Sequence, residues 1–174
     1  GTLGTASLTI AGGAGNDTID ASTDAGASGG AYVGGGKANT ALSGNDGDDS
    51  IGSAASAAGG NGGSVQHFIA GGSGNDTITA SSEATGGGGG GAWTSLSGDE
   101  GNDQLTVLAK AGGESGSVDS TLIGGAGDDI LSGTADGGAA WSGSANQTAD
   151  GGDGHDSITL TASAHGGFGG GATN

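Results

Sequence analysis

Gly12-Gly13-Ala14-Gly15-Asn16-Asp17-Thr18-Ile19 is the stretch that decides the fold, because close variants of it return five times along the 174-residue chain. The returns begin at Gly44, Gly71, Gly98, Gly124 and Gly151, at steps of 32, 27, 27, 26 and 27 residues. Self-similarity at this period is typical of stacked structural repeats and not of a conventional globular domain. We therefore expect each copy to begin one coil.

The motif combines residues that turn with a residue that opens a strand. Glycine, Asn and Asp tolerate positive φ, so the first six positions can form a tight turn whose carbonyl groups point into a common hollow. The aliphatic residue at the eighth position should then open a short strand and point inward. In the six copies it is Ile19, Ile51, Ile78, Leu105, Leu131 and Ile158.

Other small or apolar residues recur at fixed distances from the motif. Two residues before its first glycine stand Ile10, Leu42, Ile69, Leu96, Leu122 and Ala149. Two residues after its aliphatic residue stand Ala21, Ser53, Ala80, Val107, Gly133 and Leu160. Period-two alternation is typical of a strand. The sequence therefore predicts an all-β fold, a parallel β-solenoid of about six coils that resembles a β-helix or β-roll. We expect residues 1–174 to form one domain, a segment of a larger protein.

Composition restricts the alternatives. The chain has 47 glycines and five aromatic residues, with no Pro, Cys or Met. A core of bulky side chains is not expected, and the lack of proline and of a three-residue glycine period excludes collagen. Without Cys there are no disulfides or thiolate metal sites. No apolar run approaches the length of a membrane span, so we expect no membrane insertion.

Charge points to cations as partners. Nineteen acidic residues stand against two lysines, giving a net charge of −17, which disfavours nucleic acid and anionic membranes. Twelve of the 19 acids lie inside the six eight-residue motif windows. This concentration indicates a binding site and not merely a soluble surface.

The segments between motifs are compatible with more than one structure. Glycine-rich stretches at 54–63, 81–91, 109–116 and 134–139 recur at one phase, which favours packed corners or strands over flexible tethers. Aromatic and β-branched residues precede the next apolar position and are expected to fill or cap the core at one corner. The other interpretation is an exposed stripe for a carbohydrate or a neighbouring subunit. The first interval is about five residues longer, and we expect the excess near 26–37 to bulge as a loop.

Stacked acidic turns need a cation. Equivalent aspartates of adjacent coils lie about 4.8 Å apart, and two such charges repel by about 1 kcal/mol in water and about 3 kcal/mol near a protein surface. A divalent ion between adjacent turns removes this repulsion. Carboxylate and carbonyl oxygens suit Ca²⁺ better than Mg²⁺. Six turns form five neighbouring pairs, so the sequence predicts about five Ca²⁺ ions in one row. The alternative is a set of metal-free turns in which Asp caps turn amides.

The candidate calcium ligands occupy four motif positions in every copy. The principal ones are the sixth-position aspartates Asp17, Asp49, Asp76, Asp103, Asp129 and Asp156. The residues before them would contribute carbonyls: Asn16, Asp48, Asn75, Asn102, Asp128 and His155. The first-position glycines would do the same: Gly12, Gly44, Gly71, Gly98, Gly124 and Gly151. The third position adds Ala14, Asp46, Ser73, Glu100, Ala126 and Asp153. Two copies depart at the second position, where Asn45 and Asp99 replace glycine, and Asp99 is a further candidate ligand.

The motif resembles the glycine-rich nonapeptide G-G-x-G-x-D-x-U-x, with U a large aliphatic residue, of RTX or haemolysin-type calcium-binding proteins. The resemblance implies a parallel β-roll or β-helix, calcium-dependent folding after export and bacterial type I secretion. Members usually run the nonapeptide in tandem, with two motif turns in a coil of about 18 residues and two calcium rows. Here one motif recurs per coil of about 27 residues. We therefore expect a wider solenoid with one calcium edge and two glycine-rich edges.

The sequence favours a structural protein over an enzyme. His67, His155 and His165 lie at different phases, and no acid/base pair recurs outside the motif. We expect a calcium-stabilised solenoid of a secreted or cell-surface bacterial protein: an adhesin, S-layer component or extracellular filament, with self-association or a cell-surface partner. The alternative is the folding and secretion module of an exoenzyme or toxin. A solenoid that binds ice or glycans would need a regular row of Thr or aromatics, and none is clear.

Overall fold

Parallel β-strands form every regular element of the described chain. A computed structural model describes residues 4–26, 34–138, 141–165 and 171–173. No helix long and apolar enough to cross a membrane occurs among these residues. The odd-numbered strands are β1 Thr5–Ala14, β3 Lys37–Asp46, β5 Ser64–Ser73, β7 Gly91–Glu100, β9 Ser117–Ala126, β11 Ser144–Asp153 and β13 Gly171–Thr173. The even-numbered strands are β2 Thr18–Gly26, β4 Ser50–Ala58, β6 Thr77–Thr85, β8 Gln104–Ala111, β10 Ile130–Gly137 and β12 Ser157–Ala164.

Two sheets face each other across the core. The odd-numbered strands form a seven-stranded sheet in the order β1-β3-β5-β7-β9-β11-β13, and the even-numbered strands form a six-stranded sheet. Each coil therefore consists of one strand from each sheet. The predicted all-β parallel solenoid is confirmed.

The prediction of two glycine-rich edges is wrong. Each coil has a motif edge between its odd and even strands and a single glycine-rich edge before the next odd strand. The physical reason is strand length: two strands of eight to ten residues use most of a 27-residue coil. The remaining residues suffice for a three-residue motif turn such as 74–76 and a glycine-rich turn such as 86–90, with none left for a third side.

Inward side chains stack in rows, one residue per coil. The residue two before the motif is buried in the middle coils, with Leu42 and Ile69 at most 4% exposed and Leu96 and Leu122 fully buried. The motif aliphatic residues Ile51, Ile78, Leu105 and Leu131 form a second row from the other sheet. Strand register places equivalent residues opposite one another, as in the Ile51–Ile78 and Ile78–Leu105 pairs. Both predicted rows are confirmed in these coils, whereas Ile158, in the last strand of the six-stranded sheet, is 46% exposed.

One stretch of the core is polar. His67 of β5 is fully buried between the sheets, with its Nε2 2.8 Å from Ser53 Oγ and its Nδ1 2.8 Å from Ser82 Oγ. Ser82 Oγ lies 2.7 Å from Thr94 Oγ1. A neutral imidazole has one donor and one acceptor, which matches two hydroxyl partners. This cluster links strands β4 to β7 across the interior.

The glycine-rich edge is packed, as the sequence predicted. The N–H of Gly62 donates to the Gly59 carbonyl, and the N–H of Gly88 donates to the Gly60 carbonyl of the preceding coil. A Cβ at Gly62 would meet the Gly89 carbonyl oxygen. Glycine is therefore required at this position for the close approach of successive turns. The five extra residues of the first interval fall between β2 and β3, where 27–33 lie outside the described residues.

The expectation that aromatic and β-branched residues fill or cap the core at one corner is confirmed for Val65 and Val118, which are fully buried, and is wrong for the described aromatics. Phe68, Trp93 and Trp141 are 55%, 41% and 56% exposed. The second, fourth, sixth and eighth residues of β5 and of β7 point inward, among them Val65, His67 and Ala92, so Phe68 and Trp93 fall on the outer face. Tyr32 and Phe168 lie outside the described residues.

Candidate calcium edge

Within each motif turn, residues with positive φ alternate with residues that have negative φ. Positive φ occurs at the second and fourth motif positions of all six copies. At the second position the two departing copies have Asn45 at φ 81° and Asp99 at φ 76°. Ser43 Oγ donates to Asn45 Oδ1, and Ser97 Oγ donates to Asp99 Oδ1 at 2.6 Å. These two residues therefore adopt the glycine conformation, and the turn is the same in all six copies.

The sixth-position aspartates form an inner ladder along this edge. The main-chain N–H of each of the first five aspartates donates to Oδ1 of the equivalent aspartate in the following coil, over distances of 2.7–3.0 Å. Asp49, Asp76, Asp103 and Asp129 are at most 3% exposed. One carboxylate oxygen of each side chain from the second coil onward is therefore occupied by the stacking of coils. This is a form of amide capping, but it runs between coils and not within one turn.

The second carboxylate oxygen has no such partner. Oδ2 is buried and makes no hydrogen bond with the described residues in five members of the inner ladder: Asp17, Asp49, Asp76, Asp103 and Asp129. A buried carboxylate oxygen without a partner is costly, by at least about 1–3 kcal/mol. The predicted row of ions would need an oxygen of this kind in each turn.

Main-chain carbonyls approach the same place. A Cβ built on Gly98 would meet both Asp103 Oδ2 and the Gly124 carbonyl oxygen of the next coil. The same pair recurs at Gly44, with Asp49 Oδ2 and the Gly71 carbonyl. The first motif position must therefore be glycine, and a carboxylate and a carbonyl oxygen converge beside it. Hard oxygen donors in this combination fit Ca²⁺.

The fifth-position residues form a separate outer ladder. Oδ1 of Asn16, Asp48, Asn75, Asn102 and Asp128 accepts the main-chain N–H of the equivalent residue in the following coil, at 2.7–3.0 Å. The two ladders thus run in opposite directions. These five side chains link coils at the exposed surface through Oδ1, and the contribution predicted for these residues at a metal is that of their carbonyl oxygens.

The third-position residues lie further from the inner ladder. Carbonyls of Asp46, Ser73, Glu100, Ala126 and Asp153 accept the N–H of the fourth-position glycine in the preceding coil, at 2.7–2.8 Å. The side chains of Asp46, Asp99, Glu100 and Asp153 are exposed. Asp46, Asp99 and Glu100 instead line a shallow acidic hollow on the outside of the turns. The structure therefore does not bring these carboxylates to the buried Oδ2 row.

Burial makes the inner ladder a poor place for uncompensated charge. Desolvation raises the pKa of Asp103 to about 6, the bond from the Asp76 N–H opposes this, and the charges of Asp76 and Asp129 add to it. Desolvation also raises the pKa of Asp76 and Asp129. A cation at this edge would compensate the buried charge.

The donor set is one carboxylate per turn with main-chain oxygens. The described residues contain no group of three or more His, Cys, Asp or Glu side chains placed to hold one metal ion. Carbonyl oxygens must therefore complete the coordination shell of any metal ion, as expected from the sequence. Flexible coordination by many oxygens suits Ca²⁺, whereas Mg²⁺ requires strict octahedral geometry.

The fold and this edge define the class of protein: a parallel β-solenoid whose stacked turns offer buried oxygen ligands to divalent cations. Comparison with protein families identifies the turns. The RTX calcium-binding nonapeptide repeat matches four segments, residues 9–25, 68–83, 116–138 and 141–162. The chain carries calcium-binding repeats of the RTX family, as the resemblance suggested.

The matched segments contain copies one, three, five and six of the motif. The unmatched copies are those with Asn45 and Asp99 at the second position, yet their aspartates occupy the inner ladder like the others. The geometry thus extends the repeat to all six copies. A search of curated proteins found no match. A search of solved structures found no match either.

The histidines occupy three different settings. His67 is enclosed in the core, and the N–H of His155 donates to Asp128 Oδ1 in the outer ladder. His165 Nδ1 lies 3.5 Å from Asp136 Oδ1 on the surface. The calcium-binding repeat is a structural fold, and these settings add no catalytic arrangement among the described residues.

Proposed function

We propose that this chain is a calcium-stabilised structural solenoid, which is incompletely folded at low calcium and closes into a rod when calcium is supplied. The row of five buried Oδ2 atoms without partners supports the proposal most directly. Five is also the number of ions predicted for six stacked turns, with each ion between neighbouring coils.

The energies involved are large enough to couple binding with folding. A site stabilises the folded chain by about 1.4 kcal/mol when free calcium is ten times its Kd, so five independent sites supply about 7 kcal/mol. That is comparable to the whole free energy of unfolding of a typical domain, about 5–15 kcal/mol. A net charge of −17 and repulsion within the inner ladder act in the opposite direction.

Coupling of calcium binding to folding suits a secreted or cell-surface bacterial protein. Low calcium keeps an acidic, glycine-rich chain unfolded before export, and millimolar calcium outside the cell folds it. Within this setting we propose a rod-like segment of an adhesin, an S-layer component or an extracellular filament. The second candidate is a folding and secretion module of an exoenzyme or toxin that uses type I secretion, which is favoured by the RTX repeats themselves. A catalytic domain beside this segment in the full-length chain would favour the second candidate.

A calcium titration tests the shared part of both candidates. Circular dichroism and thermal melting are followed with chelator, with rising Ca²⁺ and with Mg²⁺ at equal concentration. We expect Ca²⁺, but not Mg²⁺, to increase the β signal and raise the melting temperature. Unchanged structure and melting after thorough chelation would mean that the solenoid folds without metal.

A further inference from the structure

Two exposed aromatic side chains are neighbours on the outer face of the seven-stranded sheet. Phe68 of β5 is 55% exposed and Trp93 of β7 is 41% exposed. Register pairs Gln66 with Trp93 and Phe68 with Ser95, which makes the two aromatics diagonal neighbours. Neither side chain belongs to the core or to the calcium edge. Their exposure therefore calls for a different role.

The indole of Trp93 rests on its own strand. A Cβ built on Gly91 would collide with Cη2 and Cζ3 of the indole ring. The missing side chain at Gly91 thus lets the six-membered ring lie against the sheet while the rest stays accessible. Contact with the sheet restrains the ring before any ligand arrives, which lowers the entropic cost of binding.

Hydrogen-bonding groups surround the two rings. A hollow of about 290 Å³ is lined by Phe68 and Trp93 together with Gln66, Asp119 and Thr121. Asn146 Nδ2 donates to Asp119 Oδ1 at 2.8 Å, which holds that carboxylate in place through one of its two oxygens. The hollow therefore combines aromatic surface with an amide, a hydroxyl and an oriented carboxylate.

The hollow continues beyond Phe68. A second hollow of about 380 Å³ lies on the other side of this ring, bordered by small residues such as Ala11, Ala41 and Ala70. Together the two hollows extend across strands β1, β3, β5, β7 and β9. Strands lie about 4.8 Å apart, so this trough is about 20 Å long. It is long enough for a chain of several linked units.

The charges along the trough exclude an anionic occupant. Asp119 is the charged side chain that lines it. Lys37, on the same face, pairs in register with Ser64 and lies outside both linings. The row that contains Trp93 is otherwise polar, with Ser7, Asn39, Gln66, Asp119 and Asn146 in register. Around Trp93 the trough is therefore polar, unlike the apolar centre of a protein–protein interface, and apolar residues line the part beyond Phe68.

We propose that the trough binds a neutral oligosaccharide through the two diagonal aromatic rings, and not through the regular row of Thr or aromatics that the sequence lacks. One sugar ring places its C–H face on the indole of Trp93, where the negative face of the aromatic ring attracts the polarised C–H groups. The amide of Gln66 and the carboxylate of Asp119 hydrogen-bond the sugar hydroxyls, and Phe68 contacts the next sugar. The binding site lies on a sheet face, so it is distinct from the calcium edge and depends on calcium only through folding.

The test uses Trp93→Ala and Asp119→Asn, with Trp141→Ala as the matched control. Trp141 is an exposed tryptophan at the glycine-rich edge, outside the trough lining. Binding of cellohexaose, chitohexaose and maltohexaose is measured by titration calorimetry in saturating calcium, with a heparin hexasaccharide as the anionic probe. Circular dichroism and melting curves show that each variant is folded.

We expect at least one neutral hexasaccharide to bind with Kd of about 1 mM or tighter, and Trp93→Ala to weaken it about tenfold or more. Asp119→Asn should also weaken it, and Trp141→Ala should not. No binding of any neutral probe by the folded chain at about 10 mM would overturn the proposal. So would equal binding by Trp93→Ala, preference for heparin, or self-association that Trp93→Ala abolishes.

Discussion

Asp103 is bonded through one carboxylate oxygen and buried without a partner through the other. At the scale of the residue, this asymmetry separates a stacking role from a metal-binding role. Asparagine has nearly the same shape and keeps an Oδ1 acceptor for the Asp76 N–H. It replaces Oδ2 by an amide group, which cannot ligate a cation. Substitution therefore removes one role and leaves the other.

Asp103→Asn should change stability in opposite directions with and without calcium. In saturating calcium we expect a loss of about 1–3 kcal/mol, because a ligand is missing. In chelator we expect no loss or a gain, because a buried charge between Asp76 and Asp129 is removed. Urea unfolding measures this in calcium, and the folded fraction from circular dichroism measures it in chelator, where the chain is incompletely folded. Asp20→Asn, on an exposed position of β2, is the control and should change neither value much. Equal loss in both conditions would contradict a role of the Asp103 carboxylate as a calcium ligand.

Gly101→Ala should destabilise the fold even in saturating calcium. Gly101 has φ 132°, and a Cβ there would meet the Gly74 carbonyl oxygen of the preceding coil. Strained backbone and steric contact together cost about 3 kcal/mol. Gly52→Ala is the matched control, because its Cβ would have only ordinary contacts at 3.8 and 3.9 Å. We expect it to change stability by no more than about 0.5 kcal/mol in urea unfolding. Similar losses for both variants would contradict a special requirement at the motif.

At the scale of the element, strands were predictable where aliphatic residues alternate and unpredictable where small residues do. Leu42, Ile69 and the motif aliphatic residues marked inward positions correctly. In β4, however, Ala and Ser alternate on both faces, so no period-two pattern showed that the strand continues to Ala58. This is why a third side was expected. The motif likewise identified the aspartates, but not that their Oδ1 atoms link coils, because that depends on strand register.

Buried His67, which links strands β4 to β7, makes the folding stability depend on pH. Burial lowers the pKa of His67 to about 4, while in the unfolded chain it is about 6.5. The unfolded state then binds more protons, so stability is full above pH 6.5 and falls by about 3 kcal/mol as pH drops toward 4. The groups facing the ring, Ser53, Ser82 and Thr94, are neutral and titrate nowhere in this range.

His67→Gln should remove this acid sensitivity. Glutamine already occupies the equivalent inward position of another coil, at Gln147. Urea unfolding of both proteins at fixed saturating calcium from pH 7 to pH 4 gives the difference, in which contributions from the carboxylates cancel. We expect the difference between variant and original chain to shift by about 3 kcal/mol over this range. A constant difference would mean that the imidazole is charged or exposed in the folded chain.

At the scale of the whole molecule, the inner ladder makes the pH dependence of folding stability differ in sign with and without bound calcium. Without metal, the folded pKa of Asp103 is about 6 against an unfolded value of 3.8, and those of Asp76 and Asp129 are also raised. The folded state then binds more protons, so this contribution to stability is present below pH 3.8 and is lost as pH rises through 6. Asp103 alone accounts for about 3 kcal/mol.

With calcium bound, protons compete with the ion for the carboxylates, and stability then rises with pH. The measurement is the stability of the His67→Gln variant between pH 5 and 7.5, from the folded fraction by circular dichroism in chelator and from urea unfolding in calcium, so that the imidazole does not contribute. We expect stability to fall with pH in chelator and to rise with pH in calcium. The same slope in both conditions would mean that calcium does not bind at the buried carboxylates, and the ions would then have to be sought at the exposed acidic hollow of Asp46, Asp99 and Glu100.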